Sequence, residues 1–274
     1  MGLSDSAAGL TLTLLHHDPA WIRAAAEAGV ERIGLDIERL HKERRQRSVA
    51  DARIQQHELS DFLAIETNAP TLSRFARLNP WHPGSAEEIE QALSYGTTSL
   101  MLPYFRSVDE PAAFIQQIAG RARVVLLFET FASVVRIHEV LQLEGISEVM
   151  VGMNDLHLES QLHNPFEICA SPLMDMIAAQ VHARGLTFGF GAVAALTDSL
   201  PVSPDLLLAR MAQLGVTSTW ISRSLLKSLA EPKHLSNEIE RIRQRFAYWK
   251  NCPVDEREKA LRQLRKEVFP NARA

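Results

Sequence analysis

Arg123-Val124-Val125-Leu126-Leu127-Phe128-Glu129-Thr130 is the stretch that decides the fold. It is an almost continuous apolar run that stops on an acid. A strand buried on both faces reads this way, as in a parallel sheet lying under helices. A helix-like span over residues 131–143 follows and is stopped near Gly145. A second strand-like run, residues 148–155, then closes on Gly152-Met153-Asn154-Asp155. Strand, helix and strand in that order form the βαβ unit.

The same alternation extends in both directions. Toward the N-terminus, strand-like runs cover residues 11–16, 32–38, 72–79 and 99–105; toward the C-terminus they cover 187–193 and 218–224. Helices are expected between them. Asp18 and Pro19 open one that Gly29 stops, and Ser85 with Glu88 reads as a capping box for another. Spans 108–119, 172–183 and 203–214 are helical by pattern, and 156–170 reads as an irregular loop. Eight strands in alternation predict the α/β class: a single (β/α)8 TIM barrel over residues 1–230, with a C-terminal helical extension over 231–274. An open doubly wound sheet is the competitor. Neither GxGxxG nor GxxxxGK[ST] follows any strand, which weakens its nucleotide-binding version.

A length of 274 residues suits one barrel. Lys plus Arg number 29 and Asp plus Glu 33, a net charge of −4, so there is no electrostatic case for nucleic acid. Cys169 and Cys252 are isolated, which argues against a structural zinc site and a disulfide framework. Two free thiols suit a reducing compartment. The first ten residues lack a basic region followed by an apolar run. No apolar stretch approaches the roughly 20 residues that cross a bilayer. A cytoplasmic protein without a membrane partner is expected.

Two stretches stand outside the alternation. Residues 39–58 are highly charged, with Lys42-Glu43-Arg44-Arg45, and form either a solvated helix and loop or a lid or intersubunit arm. In the tail, Leu235, Ile239, Ile242, Phe246 and Trp249 recur at helical spacing, and Pro253 separates a second, more charged helix. An apolar stripe placed after a closed barrel marks an interface when nothing in its own chain covers it. The extension is therefore expected to be an oligomerisation element; the alternative is that it folds back on its own barrel.

Barrels of this type carry their chemistry at the C-terminal strand ends. Those ends supply Asp36 and Glu38, Arg77 and Asn79, Glu129, and Asn154 with Asp155. Glu129 and Asp155 could each serve only as helix caps. Taken together on one rim, with Arg77, they suit a hard cation with oxygen ligands, Mg2+ or Mn2+. Such a cation would polarise a carbonyl while Arg77 pairs with a substrate carboxylate or the developing oxyanion. Candidate acid/base groups are His82 and His157. His16 and His17 end the first strand, and His41 and His57 rank lower because they fall in the charged stretch. Trp21, Trp81, Trp220 and Trp249 read as packing residues. Gly189 and Gly191 read as points of close backbone approach, and Arg223 as a cap or an anion contact.

Arg77-Leu78-Asn79-Pro80, Leu126-Leu127-Phe128-Glu129-Thr130 and Val151-Gly152-Met153-Asn154-Asp155-Leu156 resemble three signature segments of the HpcH/HpaI aldolase and citrate lyase β-subunit superfamily. Gly34-Leu35-Asp36-Ile37-Glu38 and Met101-Leu102-Pro103 resemble two more, and the similarity runs in register from about residue 11 to about residue 226. The resemblance implies a pyruvate/phosphoenolpyruvate-type barrel. It implies that Glu129 and Asp155 are metal ligands and that Arg77 binds the oxo acid and its enolate. It further implies that the amides near Asn154 and Asp155 hold a carboxylate, and that Glu38 orders the metal site through water. Arg39 stands where the pyruvate aldolases of this superfamily carry a catalytic histidine, which brings the segment closer to the lyase branch. A homotrimer or homohexamer is implied as well. The expected function is a metal-dependent carbon–carbon lyase or aldolase acting on an oxo acid. The alternatives are a CoA-thioester lyase, thioesterase or synthase of citryl or malyl type, and a noncatalytic barrel subunit of a biosynthetic complex.

Overall fold

The computed structural model describes residues 9–40 and 57–269. Eight parallel strands close into one barrel in sequence order, β8 pairing back onto β1. They are β1 (Thr11–Leu15), β2 (Arg32–Asp36), β3 (Ser73–Arg77), β4 (Ser99–Leu102), β5 (Arg123–Phe128), β6 (Ile146–Val151), β7 (Thr187–Val193) and β8 (Ser218–Ile221). The first helices are α1 (Pro19–Glu27), α2 (Phe62–Asn68), α3 (Ser85–Ser94) and α4 (Asp109–Ile118). They are followed by α5 (Phe131–Val135), α6 (Ile137–Val140), α7 (Met153–Glu159), α8 (Phe166–Ala170) and α9 (Pro172–Ala183). The chain ends with α10 (Pro204–Gln213), α11 (Arg223–Leu229), α12 (Leu235–Asn251) and α13 (Val254–Val268). No helix among the described residues is long and apolar enough to cross a membrane.

The barrel explains the continuous apolar runs. Along β5, Val125 and Leu127 point inward and join Phe75, Met101 and Met150, with Leu15 and Trp220 beside them. Val124, Leu126 and Phe128 belong instead to the layer between strands and helices. Alternate residues thus reach two different cores, and neither face meets water. Glycine is required where β7 meets β8: a Cβ on Gly189 would stand 2.2 Å from the Ser218 carbonyl oxygen and 2.3 Å from Met150 Sδ.

The N-terminal end of the barrel is plugged by polar groups. Arg32 donates from Nη1 to Glu148 Oε2 at 2.7 Å and from Nη2 to Glu148 Oε1 at 3.0 Å. It also reaches Thr13 Oγ1 at 2.8 Å and Ser218 Oγ at 2.5 Å. Both charges are buried, so each is satisfied by the other.

Several expectations change in detail. The helix read over 131–143 is two short helices that part at Arg136. The loop read over 156–170 holds the end of the seven-residue α7 and all of the five-residue α8. Helices that short show no period in a sequence. Asp18 caps α1 as expected, accepting from Ala20 N at 2.8 Å. The Ser85–Glu88 capping box does not form: Gly84 is the N-cap of α3, Ser85 Oγ accepts from His82 N, and Glu88 turns to Asn79.

The tail follows the second of the two readings given for its stripe. Leu235, Ile239, Ile242, Phe246 and Trp249 are all buried within the single chain, where α12 packs on α10 and α1. Asp205 of α10 accepts from Arg245 Nε at 2.5 Å and Nη2 at 2.7 Å, and from Trp249 Nε1 at 2.8 Å. α13 packs on α10 and α8 through Ala260, Leu264 and Val268. Five large side chains at about 1.5–3 kcal/mol each contribute on the order of 10 kcal/mol of gross burial. The stripe is covered by its own barrel. The run Lys42–Arg47 and His41 lie outside the described residues.

Candidate active site at the C-terminal mouth

The site is assembled by ladder register. Asp36 at the end of β2 is the Cα partner of Arg77 at the end of β3. Arg77 donates from Nε to Asp36 Oδ1 at 2.8 Å and from Nη2 to Asp36 Oδ2 at 2.7 Å, a two-pronged pair. Glu38, buried two residues further on, stands 3.5 Å from the same Nε. An Asx turn sets its place, Glu38 N donating to Asp36 Oδ1. The guanidinium lies over the Trp220 ring, 5.2 Å from its centre. Burial alone would lower the Arg77 pKa; Asp36, Glu38 and then Glu129 outweigh it and hold it above its ordinary value. The site therefore keeps a permanent cation among three carboxylates. Trp220, read as a packing residue, is also the surface on which that cation rests.

Asn79 braces this rim. Its Oδ1 accepts from Arg39 N at 2.8 Å and Leu40 N at 2.9 Å, and its Nδ2 donates to Glu88 Oε1 at 2.6 Å. The turn after β2 is thereby tied to α3. The side chain of Arg39 leaves the mouth, donating to the His57 carbonyl at 3.0 Å.

Glu129 stands one residue past β5 and is 2% exposed. It does not cap α5; Thr130 does, accepting from Ser133 N. Instead Glu129 Oε1 accepts from Tyr104 N at 3.0 Å. The side chain lies across Gly152 so closely that a Cβ there would stand 2.6 Å from Glu129 Oε2. Glycine at this place lets a carboxylate from β5 reach the end of β6. Asp155 lies in the first turn of α7, where an acid is also favoured by the helix dipole. Asn154 is exposed in the same turn, and no side chain caps α7.

The two expected histidines each have local partners. His82 Nδ1 accepts from Gly84 N at 3.1 Å, and its Nε2 lies 3.8 Å from Glu88. It lines a cavity of about 520 Å³ together with Arg39, His57, Asn79 and Glu88, and neither Arg77 nor Glu129 lines that cavity. His157 turns back on its own helix, Nδ1 lying 3.1 Å from the Asn154 carbonyl. His57 reaches the Asp36–Arg77 pair, its Nδ1 accepting from Asp36 N at 2.9 Å. Its ring meets that of His17 edge-on at 4.9 Å. His16 is buried beside them; desolvation, opposed by Asp18, lowers its pKa to about 4. The sequence puts Asp36 on the rim but assigns it no role. The available signal was its place two residues before Glu38, on the same face of an extended strand.

Among the described residues, no group of three or more His, Cys, Asp or Glu side chains is arranged to hold a metal ion. The donors fit a cation that takes only part of its shell from protein. They are carboxylate oxygens, and the deeply buried one, on Glu129, lies against Gly152. Mg2+ binds in that way, through one or two carboxylates with water and substrate oxygens completing the octahedron.

No family model and no curated protein matches the chain. Solved structures do. An HpcH/HpaI aldolase from Desulfitobacterium hafniense DCB-2 superposes with a TM-score of 0.60 at 15% identity, covering 91% of this chain and 96% of that one. An HpcH/HpaI aldolase/citrate lyase family protein from Burkholderia cenocepacia J2315 gives 0.61 at 15% identity, over 81% and 92% of the two chains. A citrate synthase, SbnG, gives 0.57 at 16% identity, over 86% and 94%. At such identities the likeness is one of fold, and the chain has the barrel that HpcH/HpaI aldolase and citrate lyase family structures share.

Proposed function

We propose that the chain is a member of the HpcH/HpaI aldolase and citrate lyase superfamily: a divalent-metal-dependent lyase that makes or breaks a carbon–carbon bond next to an oxo acid. The observation that carries this reading is Arg77, clamped by Asp36 and Glu38 and sensing the charge of Glu129 at the mouth of the barrel. A buried cation so surrounded is a fixed partner for an oxyanion. Glu129 and Asp155 would hold Mg2+ or Mn2+. When bound, that cation supplies Lewis-acid polarisation of the oxo group. Arg77 binds the substrate carboxylate or the oxygen that gains charge. Asp36 fixes the plane of the guanidinium, and Glu38 adds a second anchor at Nε. The first-turn amides of α7 receive the carboxylate of the oxo acid.

A second reading, a CoA-thioester lyase, thioesterase or synthase of citryl or malyl type, is favoured by Arg39 occupying the aldolase histidine's place. One screen separates the two. The protein is assayed with and without Mg2+ or Mn2+ on oxaloacetate, hydroxy-oxo acids, pyruvate plus aldehydes, and malyl- or citryl-CoA. Metal-dependent turnover of an oxo acid that Glu129→Gln abolishes is the expected result. Turnover confined to the thioesters supports the second reading. A wild-type protein that neither binds Mn2+ nor turns over any of these overturns both.

A further inference from the structure

The loop between β4 and α4 runs beside Glu129 and is laced to the end of β5 at three consecutive residues. The Phe105 ring meets Phe128 edge-on at 5.0 Å. Tyr104 N donates to Glu129 Oε1 at 3.0 Å, and the Thr130 hydroxyl donates to the Phe105 carbonyl at 2.8 Å. For the middle tie to form, Tyr104 takes a φ of 51°, the left-handed region that a bulky L residue adopts only when its surroundings impose it. Those surroundings are visible. Phe105 is fully buried. Arg106 lies over the Tyr104 ring at 5.8 Å and pairs with Glu159 of α7 at 2.8 Å. The other Glu159 oxygen accepts from Phe131 N. The loop is thus tied to β5, α5 and α7, the elements that carry Glu129 and Asp155.

We infer that Tyr104 is a positioning residue for Glu129, acting through its left-handed backbone and not through its ring. That conformation aims an amide N–H at one carboxylate oxygen. An N–H donor fixes the rotamer without bringing a rival charge. The Glu129 side chain is thereby kept across Gly152, on the side of α7. The inference rests on the reading that Glu129 helps hold the divalent cation, and it names what fixes that ligand before the cation arrives.

The test separates backbone from ring. Tyr104→Gly keeps the N–H, removes the ring and takes positive φ freely. Tyr104→Val keeps the N–H but resists that conformation. Mn2+ affinity is measured by calorimetry and by electron paramagnetic resonance, with circular dichroism to follow the fold. Tyr104→Gly is expected to bind Mn2+ within about twofold of wild type, and Tyr104→Val about tenfold or more weakly. Valine binding as tightly as tyrosine overturns the inference. Equal loss in the glycine and valine chains also overturns it, because the ring would then be responsible. If the valine chain does not fold, Tyr104→Ala replaces it, with affinity about threefold below glycine expected and parity overturning the inference. A wild-type chain that binds no Mn2+ overturns the metal reading itself and this inference with it, whereas metal binding indifferent to residue 104 overturns this inference alone.

Discussion

Replacing Glu148 by glutamine should destabilise the barrel without touching the mouth. Glu148 accepts two bonds from Arg32 and one from the Ser218 hydroxyl, at 2.7, 3.0 and 2.7 Å. Arg32 is 5% exposed and Glu148 2%, so Glu148→Gln strands a guanidinium inside the barrel with no counter-charge. Breaking a buried pair in this way costs about 3–5 kcal/mol. At roughly 2–4 °C per kcal/mol for a chain of this size, the thermal midpoint should fall by about 10 °C. Arg32→Met with Glu148→Met removes both charges together. It leaves the Thr13 and Ser218 hydroxyls short of partners but strands no charge, so this chain should melt between the wild type and Glu148→Gln. Circular dichroism melts and urea midpoints of the wild type, Arg32→Met, Glu148→Met and the double variant close the cycle, with Glu148→Gln measured beside them. Mn2+ affinity should stay at the wild-type value throughout, because Arg32 begins β2 while Asp36 ends it. A Glu148→Gln midpoint within about 2 °C of wild type would refute the reasoning, as would a double variant less stable than either single one.

Arg77→Lys should lower turnover by about 100-fold or more with the fold intact, because a point charge cannot span both oxygens of Asp36; unchanged kcat on the true substrate removes Arg77 from the chemistry. Burial holds the His16 imidazole at a pKa of about 4, so between about pH 6.5 and 4 the folded chain binds fewer protons than the unfolded one. The corresponding stability, on the order of 3 kcal/mol, is complete above that window and lost as pH falls through it. His16→Gln should flatten this part of the pH–stability curve, and an unchanged slope would count against the assignment. A chain ending at Ala230 loses the cover of α10, and light scattering should find it aggregated; a well-folded truncated monomer from an oligomeric parent would restore the interface reading of the tail.

The parts of this molecule that the sequence discloses are those set within one element. The β5 run is legible because alternate residues enter two dry cores, so the whole segment must be apolar. Glu129 is legible because a carboxylate at the end of such a run is costly without a purpose. The role of Asp36 is not legible, for the opposite reason. Its importance comes from facing Arg77 across the ladder, a register between segments 41 residues apart. His57 reaches the same strand end across the charged insertion, 21 residues from the amide it accepts from. His82 and His157 were preferred for their nearness in sequence to strand ends. One ring receives the amide of a tight turn and the other meets a carbonyl of its own helix, partners that no spacing in the sequence announces.

The tail shows the limit from the other side. Its stripe states that something must cover Leu235, Ile239, Ile242, Phe246 and Trp249; it does not state what. The answer lies in Asp205, a carboxylate in the first turn of α10 that carries no motif and matters through Arg245 and Trp249 alone. Desolvation would raise the Asp205 pKa, and the bonds from Arg245 and Trp249 outweigh it and hold the pKa below its ordinary value. The charge therefore persists where α12 docks. A polar contact of this kind fixes which surface an apolar stripe meets, whereas burial alone is indifferent to its partner. The same division runs through the active site. Apolar periodicity places the strand ends on one rim, and directional bonds to Asp36, Asn79 and Tyr104 decide which charged groups on that rim work together.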